Sequence, residues 1–279
     1  MSQAASAVRV TSVFRPKQPR NFQITLGVSA FFLLIYAVAD YLWPWSPKRG
    51  LGLFFGILAA LFFVFEMLYP ARRPAARPFF TAKNWIQAHV YLGTVAFVMV
   101  VIHTGFSWPH GGMGWWLLLL SLWVTLTGLL GVWLQKWIPS ILAEGLQVEA
   151  LYERIPGLVE QLNTEADLLL SDASDVLDRF YQQEVRKKLG KLAPSWGFLL
   201  DVRAGRERAM EPFRRMTGFV AAEEKGKVDD LMSIYIEKLE LDAQYSLQGI
   251  LRRWLWLHVP PAGLLMGLLL IHVFAWIWY

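Results

Sequence analysis

Five long apolar stretches restrict the folds that this sequence can adopt. They cover residues 24–43, 51–69, 86–106, 113–134 and 255–279 of a 279-residue chain. Each stretch approaches the roughly 20 apolar residues that a helix needs to cross a bilayer. Tryptophan and tyrosine gather at the ends of these stretches, for example at Trp43, Tyr69 and Trp133, where such side chains anchor helices in the membrane interface. The sequence therefore predicts an all-α membrane protein with five transmembrane helices in contact with lipid.

The residues between the fourth and fifth apolar stretches have a different character. They are charged, and apolar side chains recur at helical spacing in 141–155, 158–170, 176–189 and 231–251. We therefore divide the chain into an N-terminal arm (1–22), transmembrane helices 1–4 (23–136), a helical insertion (137–254) and transmembrane helix 5 (255–279). Acidic and basic residues nearly balance in the insertion, so no nucleic-acid partner is predicted. The insertion is either a helical cap with solvated faces or a docking platform for a partner.

The basic residues of the connecting segments predict an orientation. Arg9, Arg15, Lys17 and Arg20 precede the first apolar stretch, and residues 107–112 contain no lysine or arginine. Because lysine and arginine concentrate on the cytoplasmic side of a membrane, the N-terminus and the insertion are predicted to be cytoplasmic. The C-terminus is then extracytoplasmic, as for a bacterial inner-membrane protein, and the third and fifth helices run in the same direction.

Cysteine is absent from the sequence. Covalent c-type haem attachment, cysteine-ligated iron–sulfur clusters and disulfides are therefore excluded. A redox cofactor in this chain has to be bound non-covalently or through histidine. The first apolar stretch is a full span long and no small-residue cleavage pattern follows it, so we do not expect a removable signal peptide.

Four of the five histidines lie inside the apolar stretches, as two pairs with the same spacing. His89 and His103 lie on the third predicted helix, and His258 and His272 on the fifth, fourteen residues apart in each case. Fourteen residues correspond to about 21 Å of helix rise and nearly four turns, so both members of a pair face one side of the helix. Imidazole inside a membrane is costly and usually functional.

Two parallel helices that carry histidines at matched depths can hold two stacked haems. His89 and His258 would then bind the iron of an inner haem, and His103 and His272 the iron of an outer haem. The alternative is that these histidines only join helices by hydrogen bonds, which does not account for two equal spacings.

On these four histidines the chain resembles the di-haem b-type membrane cytochromes. It is similar to the cytochrome b of bc-type quinol complexes and to the membrane domain of ferric reductases and NADPH oxidases. The resemblance covers the second to fifth predicted helices, and it implies a haem-binding four-helix bundle. It also implies two haem b groups, each low-spin with two histidine ligands, and a quinone as a further cofactor. The predicted direction of the paired helices matches the ferric reductase and oxidase group.

The sequence also departs from both groups. It has no glycine-rich G-x-G-x-x-G loop in the insertion, and we expect no flavin- and nicotinamide-binding domain after Tyr279. The long insertion, in turn, is foreign to bc-type cytochromes b. We therefore expect an electron-transfer subunit of a respiratory or photosynthetic-type complex, which works between a quinone/quinol pool and a redox partner such as a c-type cytochrome or an iron–sulfur protein.

Two other functions remain open from the sequence. One is a transmembrane reductase that passes electrons to an extracytoplasmic acceptor, and the other is a membrane scaffold that recruits partners through the insertion. Whether the chain is itself an enzyme, and in which direction electrons flow, is not encoded in a pattern that we recognise.

Basic residues near the predicted inner haem are candidates for binding its propionates. Arg252, Arg253, Lys83 and Arg77 are all predicted near the cytoplasmic ends of the histidine-bearing helices. Arginine in particular matches carboxylate geometry well. The alternative is that the positive-inside pattern alone accounts for these residues.

Three further polar residues are candidates for quinone or proton chemistry. Asp40 and Glu66 are the carboxylates of the apolar stretches, and His110 lies in the segment 107–112. Carboxylates inside a membrane can carry protons, although each of these residues also has a simple interfacial or solvent-facing interpretation. Pro260 and Pro261, shortly after His258, are predicted to bend or loosen the start of the fifth helix.

Overall fold

The computed structural model describes residues 19–68, 82–145, 151–195, 197 and 202–278. The regular structure in these ranges is helical throughout: α1 (Pro19–Leu42), α2 (Gly50–Met67), α3 (Ala82–His103), α4 (Gly112–Gly145), α5 (Ile155–Leu169), α6 (Asp175–Phe180), α7 (Arg186–Leu189), α8 (Val202–Met216) and α9 (Lys225–Trp278). A π-helical turn, Tyr181–Val185, joins α6 to α7, and a 3₁₀ turn, Ala222–Glu224, precedes α9.

Within the described ranges, five helices are long and apolar enough to cross a membrane. They are α1, α2, α3, α4 and α9, so the described residues are all-α as predicted, with five helices that suit a membrane span by length and composition. Helices satisfy their own backbone hydrogen bonds, which is why they can span a bilayer. Two of the five are much longer than a single crossing requires, since α4 has 34 residues and α9 has 54.

The chain divides into two compact units. The membrane unit consists of Met1–Trp133 and Trp254–Tyr279, and the helical unit consists of Leu134–Arg253. Both divisions fall inside helices, because α4 continues to Gly145 and α9 begins at Lys225. The apolar pattern used to separate 137–254 from its neighbours therefore marks a change of environment rather than the end of a helix.

A first core in the membrane unit lies between α2 and α3. It consists of Phe55 and Ala59 from α2 and of Val95, Met99 and Ile102 from α3, all buried. Side chains of α1 pack against it, including Phe32, Ile35 and Tyr36.

A second core joins four helices. Its buried members are Phe63 of α2, Ala96 of α3, Leu120 of α4 and Leu265 of α9. α2, α3, α4 and α9 therefore share one interior in the membrane unit.

The histidines fix the relative direction of α3 and α9. His89 lies beside His258, and His103 lies close enough to His272 for the two rings to interact electrostatically. Since the earlier histidine of one helix meets the earlier histidine of the other, α3 and α9 run in the same direction, as the sequence predicted. Which side of the membrane either end faces stays a prediction.

Large apolar side chains point outward from the membrane unit. Phe31, Leu34, Leu61, Leu126 and Phe274 are each more than half exposed. Exposed apolar surface on this scale marks a partner or a membrane. On helices of this length it is the surface that lipid chains would cover.

The helical unit has a conventional apolar core. Its buried members come from every helix of the unit that has described side chains, among them Leu162, Leu177, Leu189, Phe213 and Leu231. This unit therefore carries the sequence pattern of a water-soluble helical domain.

Three of the four helices predicted in 137–254 correspond to observed ones. Segment 158–170 matches α5, 176–189 matches α6 and α7 with the π-turn between them, and 231–251 lies within α9. The prediction for 141–155 is wrong, because α4 occupies residues up to Gly145 and residues 151–154 are not helical. α8 was missed because charged residues interrupt its apolar pattern.

Candidate functional site

Two imidazoles from α3 and α9 face each other in the membrane unit. The ring centroids of His89 and His258 are 6.2 Å apart, and the ring planes are at 83°. Two imidazoles that bind one metal ion from opposite sides place their centroids about 6 Å apart, because each metal–nitrogen bond is about 2 Å long. The observed separation therefore fits one ion between these two rings, which we call the first pair.

A carboxyl group holds one ring nitrogen of His89. Nδ1 of this ring contacts Oε2 of Glu66, near the end of α2. The Glu66 side chain is only 10% exposed, and no described residue donates a hydrogen bond to its other oxygen, Oε1. A carboxylate on Nδ1 fixes the tautomer of a ligand histidine and leaves Nε2 to bind the metal.

His258 is held from α4. Its Nδ1 lies 3.0 Å from Oγ1 of Thr127, and this hydroxyl is itself 2.8 Å from the carbonyl oxygen of Trp123. His258 also hydrogen-bonds the backbone of Val124. With the Thr127 hydroxyl donating to the Trp123 carbonyl, Oγ1 accepts from the ring and Nδ1 carries the imidazole proton. Nε2 of His258 is then the nitrogen with a lone pair for a metal.

Space around His258 is provided by a small residue. A Cβ atom at Gly128 would lie 3.3 Å from Cε1 of the His258 ring, which is a tight contact. The indole of Trp254 covers the ring, with the two centroids 5.7 Å apart and the planes at 22°. Gly128 therefore lies close to the edge of the His258 ring, and Trp254 lies against its face.

His103 is held by a backbone carbonyl of α2. Its Nδ1 lies 2.8 Å from the carbonyl oxygen of Gly52. A carbonyl oxygen only accepts hydrogen bonds, so Nδ1 is the donor and Nε2 is unprotonated. A Cβ atom at Gly56 would lie 2.6 Å from Nδ1 of the same ring, so a residue with a side chain at this position would displace His103 or α2.

His272 completes the second pair. It is half-buried on α9 and interacts electrostatically with His103. His89 thus lies beside His258 and His272 lies near His103, and the binding of a metal by any of them stays a prediction.

The described residues contain no group of three or more His, Cys, Asp or Glu side chains that could hold a metal ion by themselves. A haem iron does not need one, because the porphyrin supplies the remaining ligands and the protein supplies only the axial ones. Two opposed histidines with their Nδ1 atoms engaged are therefore a donor set that fits haem better than a bare metal ion.

Two tryptophans stabilise the helices around His258. The indole N–H of Trp254 donates to the carbonyl oxygen of Thr127 at 2.7 Å. A Cβ atom at Gly131 would overlap the Trp254 indole, so glycine at this position allows the indole to reach α4.

The second tryptophan compensates for a proline. α9 continues through Pro260 and Pro261, and Pro261 has no N–H to donate to the carbonyl oxygen of Leu257, four residues earlier. The indole N–H of Trp123 donates to that carbonyl at 2.9 Å. A neighbouring helix thus supplies the hydrogen bond that the proline removes, and α9 is continuous past His258.

The other predicted site residues lie elsewhere. Asp40 is exposed and accepts a long hydrogen bond of 3.5 Å from Tyr36, and His110 is exposed in the segment after α3. Arg77 and the side chain of Lys83 lie outside the described residues. Only Glu66, among the three residues predicted for quinone or proton chemistry, contacts a histidine of the pairs.

The two predicted arginines belong to the helical unit, where each has partners. Arg252 pairs with Glu153, and its guanidinium lies 4.3 Å from the ring centroid of Tyr152. Nε of Arg253 donates to the carbonyl oxygen of Gly249 at 3.3 Å. Their proposed contact with haem propionates stays a prediction.

Sequence reasoning missed the residues that orient the histidines. Thr127, Trp123 and Trp254 were not assigned a role, and Glu66 was not connected to His89. One signal was present, since Pro261 implies an unpaired carbonyl that needs a donor. Which residue donates depends on the register between α4 and α9, and a single sequence does not contain it.

Comparisons with known protein families, with curated proteins and with solved structures find no match to this chain. Its function has therefore to follow from the histidine geometry.

Proposed function

We propose that this chain is a di-haem cytochrome b subunit, which carries electrons across a membrane between a quinone/quinol pool and partner redox proteins. The observation that carries the proposal is the separation of 6.2 Å between the rings of His89 and His258. A haem iron has two axial positions, and in a protein of this kind one imidazole would fill each of them.

In this proposal His89 and His258 hold the first haem, and His103 and His272 hold the second. With both axial positions filled by histidine, each haem supplies a one-electron carrier that does not bind oxygen. α2, α3, α4 and α9 would form the four-helix bundle around both haems, with α9 extending from the helical insertion.

Surrounding residues orient three of the four proposed ligand rings. Glu66, Thr127 and the carbonyl of Gly52 engage the Nδ1 atoms of His89, His258 and His103. Partners of this type orient the ring and raise the basicity of the coordinating nitrogen.

The membrane setting supports transfer across a bilayer rather than along one surface. The two pairs lie at two levels of the same parallel helices, since fourteen residues separate the histidines of each helix. We propose that the first pair lies on the cytoplasmic side of a bacterial inner membrane, with the N-terminus and the helical unit on the same side.

Single substitutions of the four histidines test the proposal. In the purified full chain, His89→Ala or His258→Ala should remove the first haem and retain the second. His103→Ala or His272→Ala should do the reverse. Haem per polypeptide, measured by the pyridine haemochrome method, should fall from two to one in each case.

The matched control is His110→Ala, since this exposed histidine belongs to neither pair and both haems should be retained. If all four single variants kept two haems per chain, the ligand assignment would be wrong. If the unchanged chain bound no haem, the electron-transfer function itself would be contradicted.

A further inference from the structure

We propose that Glu66 is a positioning residue that fixes His89 and lowers the reduction potential of the first haem relative to the second. This inference rests on the proposed function and specifies how one of its two sites is tuned. It distinguishes two haems that the histidine spacing alone would make equivalent.

The two pairs differ in the charge of the groups that hold them. In the first pair, Nδ1 of His89 meets the carboxyl group of Glu66, and Nδ1 of His258 meets a neutral hydroxyl. In the second pair, Nδ1 of His103 meets the neutral carbonyl of Gly52. Among these contacts, a carboxyl group, which carries a negative charge when ionised, lies next to the first pair only.

The position of Glu66 argues against a merely structural role. Its side chain is nine-tenths buried among membrane helices, where a carboxylate is costly. Its Oε1 has no hydrogen-bond donor among the described residues. Glutamine at the same place would accept the same hydrogen bond from His89 without an ionisable group, so the carboxyl group itself needs an explanation.

The charge has a defined effect on a bound haem. Ferric iron carries one more positive charge than ferrous iron, so a nearby anion stabilises the oxidised form, and it does so strongly where water is excluded. A carboxylate on Nδ1 also increases the basicity of the ligand imidazole. Both effects make reduction of the first haem harder. Electrons are therefore favoured to pass from the first pair towards the second.

Glu66→Gln separates the charge from the hydrogen bond. The full chain with both haems would be titrated electrochemically while the visible spectrum is recorded, and the component that His258→Ala lacks identifies the first haem. Glu66→Gln should keep two haems per chain and make reduction of the first haem about tenfold more favourable, a rise of about 59 mV for one electron. The second haem should keep its potential.

Two further variants complete the test. Asp40→Asn removes the other carboxylate of the apolar stretches, which is exposed at the end of α1, and it should change neither potential. Glu66→Ala removes the hydrogen bond as well, and it should weaken haem binding at the first pair about 10- to 100-fold while sparing the second.

Unchanged potentials in Glu66→Gln with two haems bound would overturn this inference and leave the di-haem function standing. Equal shifts at both haems would also overturn it, since they would show a general effect of charge. If Glu66→Gln fails to fold, Glu66→Asp decides. Its shorter side chain places the carboxylate farther from His89, so the potential of the first haem should rise, but by less than about 59 mV. An unchanged potential in Glu66→Asp would contradict the proposal.

Discussion

In the helical unit a buried lysine and a buried carboxylate pair with each other, whereas in the membrane unit a threonine and a glutamate contact histidine rings. Lys238 and Asp242, both buried, are joined at 2.5 Å, and Asp242 also accepts a hydrogen bond from the N–H of Ala193. Thr127 and Glu66 are directed instead to His258 and His89.

This difference separates a polar group that serves stability from one that serves a ligand. In the helical unit each charge is neutralised by its neighbour, and the network closes on itself. In the membrane unit Thr127 and Glu66 each contact Nδ1, which is one of the two nitrogen atoms of an imidazole ring. Variants in the first unit should therefore change folding alone, and variants in the second should change haem binding.

The largest expected effect comes from breaking the buried pair of the helical unit. Lys238→Met leaves Asp242 buried without its cation, which should cost about 3–5 kcal/mol of unfolding free energy. Hydrogen–deuterium exchange of the full chain should show lost protection in peptides from 151–253, and haem content should stay unchanged. Lys188→Met is the control, because Lys188 makes an exposed pair with Glu184 at 3.6 Å and such pairs contribute little.

A loss of haem in Lys238→Met alongside the loss of exchange protection would contradict the proposed difference between the two units. The comparison would be sharpened by the double variant Lys238→Met with Asp242→Leu. That variant removes both charges, so it should recover part of the lost stability, although the N–H of Ala193 then loses its acceptor.

A smaller loss of stability, with a local loss of haem, is expected in the membrane unit. Gly56→Val would force a side chain against the ring of His103, at a cost of about 1–3 kcal/mol for overpacking. Haem should be lost from the second pair and retained at the first, as measured by haem per polypeptide and by the spectrum of each haem. Gly27→Ala on α1, where a Cβ meets no atom within 4 Å, should be neutral or slightly stabilising. Two intact haems in Gly56→Val would contradict the close fit.

A third prediction tests the hydrogen bond between Trp123 and α9. Trp123→Phe removes the donor to the carbonyl of Leu257 and should cost about 1 kcal/mol. In a Pro261→Ala background the alanine N–H can take over this carbonyl, so the same substitution should cost less. Thermal unfolding of the four proteins of this double-mutant cycle, in one detergent, measures the coupling. Additive effects would mean that Trp123 does not compensate for the proline.

The smallest effect is a pH-dependent contact on the surface of the helical unit. Glu224 accepts hydrogen bonds from the backbone N–H and the hydroxyl of Ser174, at 2.7 and 2.6 Å, and these bonds hold the pKa of Glu224 below its usual value. A depressed pKa in the folded state means that the contribution is present at neutral pH and is lost as the pH falls through that pKa.

Glu224→Gln should therefore reduce the protection of peptides covering 174–180 in hydrogen exchange at pH 7. At a pH below the depressed pKa of Glu224 the variant and the unchanged chain should converge, because Glu224 itself is then protonated. A difference that persisted equally at both pH values would show that charge on Glu224 is not involved.

The membrane helices and the candidate ligands could both be predicted because lipid excludes most polar side chains. Burial in lipid requires long apolar runs, and against that background His89, His103, His258 and His272 are exceptions that repeat at one spacing. The length of α4 was not predicted, because this helix continues past the point where its apolar pattern stops.

The residues that hold the ligands could not be predicted, because they depend on how helices are packed. Glu66 lies 23 positions before His89, and Thr127 lies far from His258 in the chain. Glu66 looked like an interfacial carboxylate until α2 and α3 were placed side by side. Short polar residues such as Thr127 are common in membrane helices and carry no signal of their partner.

The central claim is that the two histidine pairs hold two haems. A reduced-minus-oxidised visible spectrum of the purified full chain, with haem quantified per polypeptide, tests it most directly. We predict two low-spin b haems per chain, with different midpoint potentials. A chain that is folded and helical but binds no haem would contradict the account.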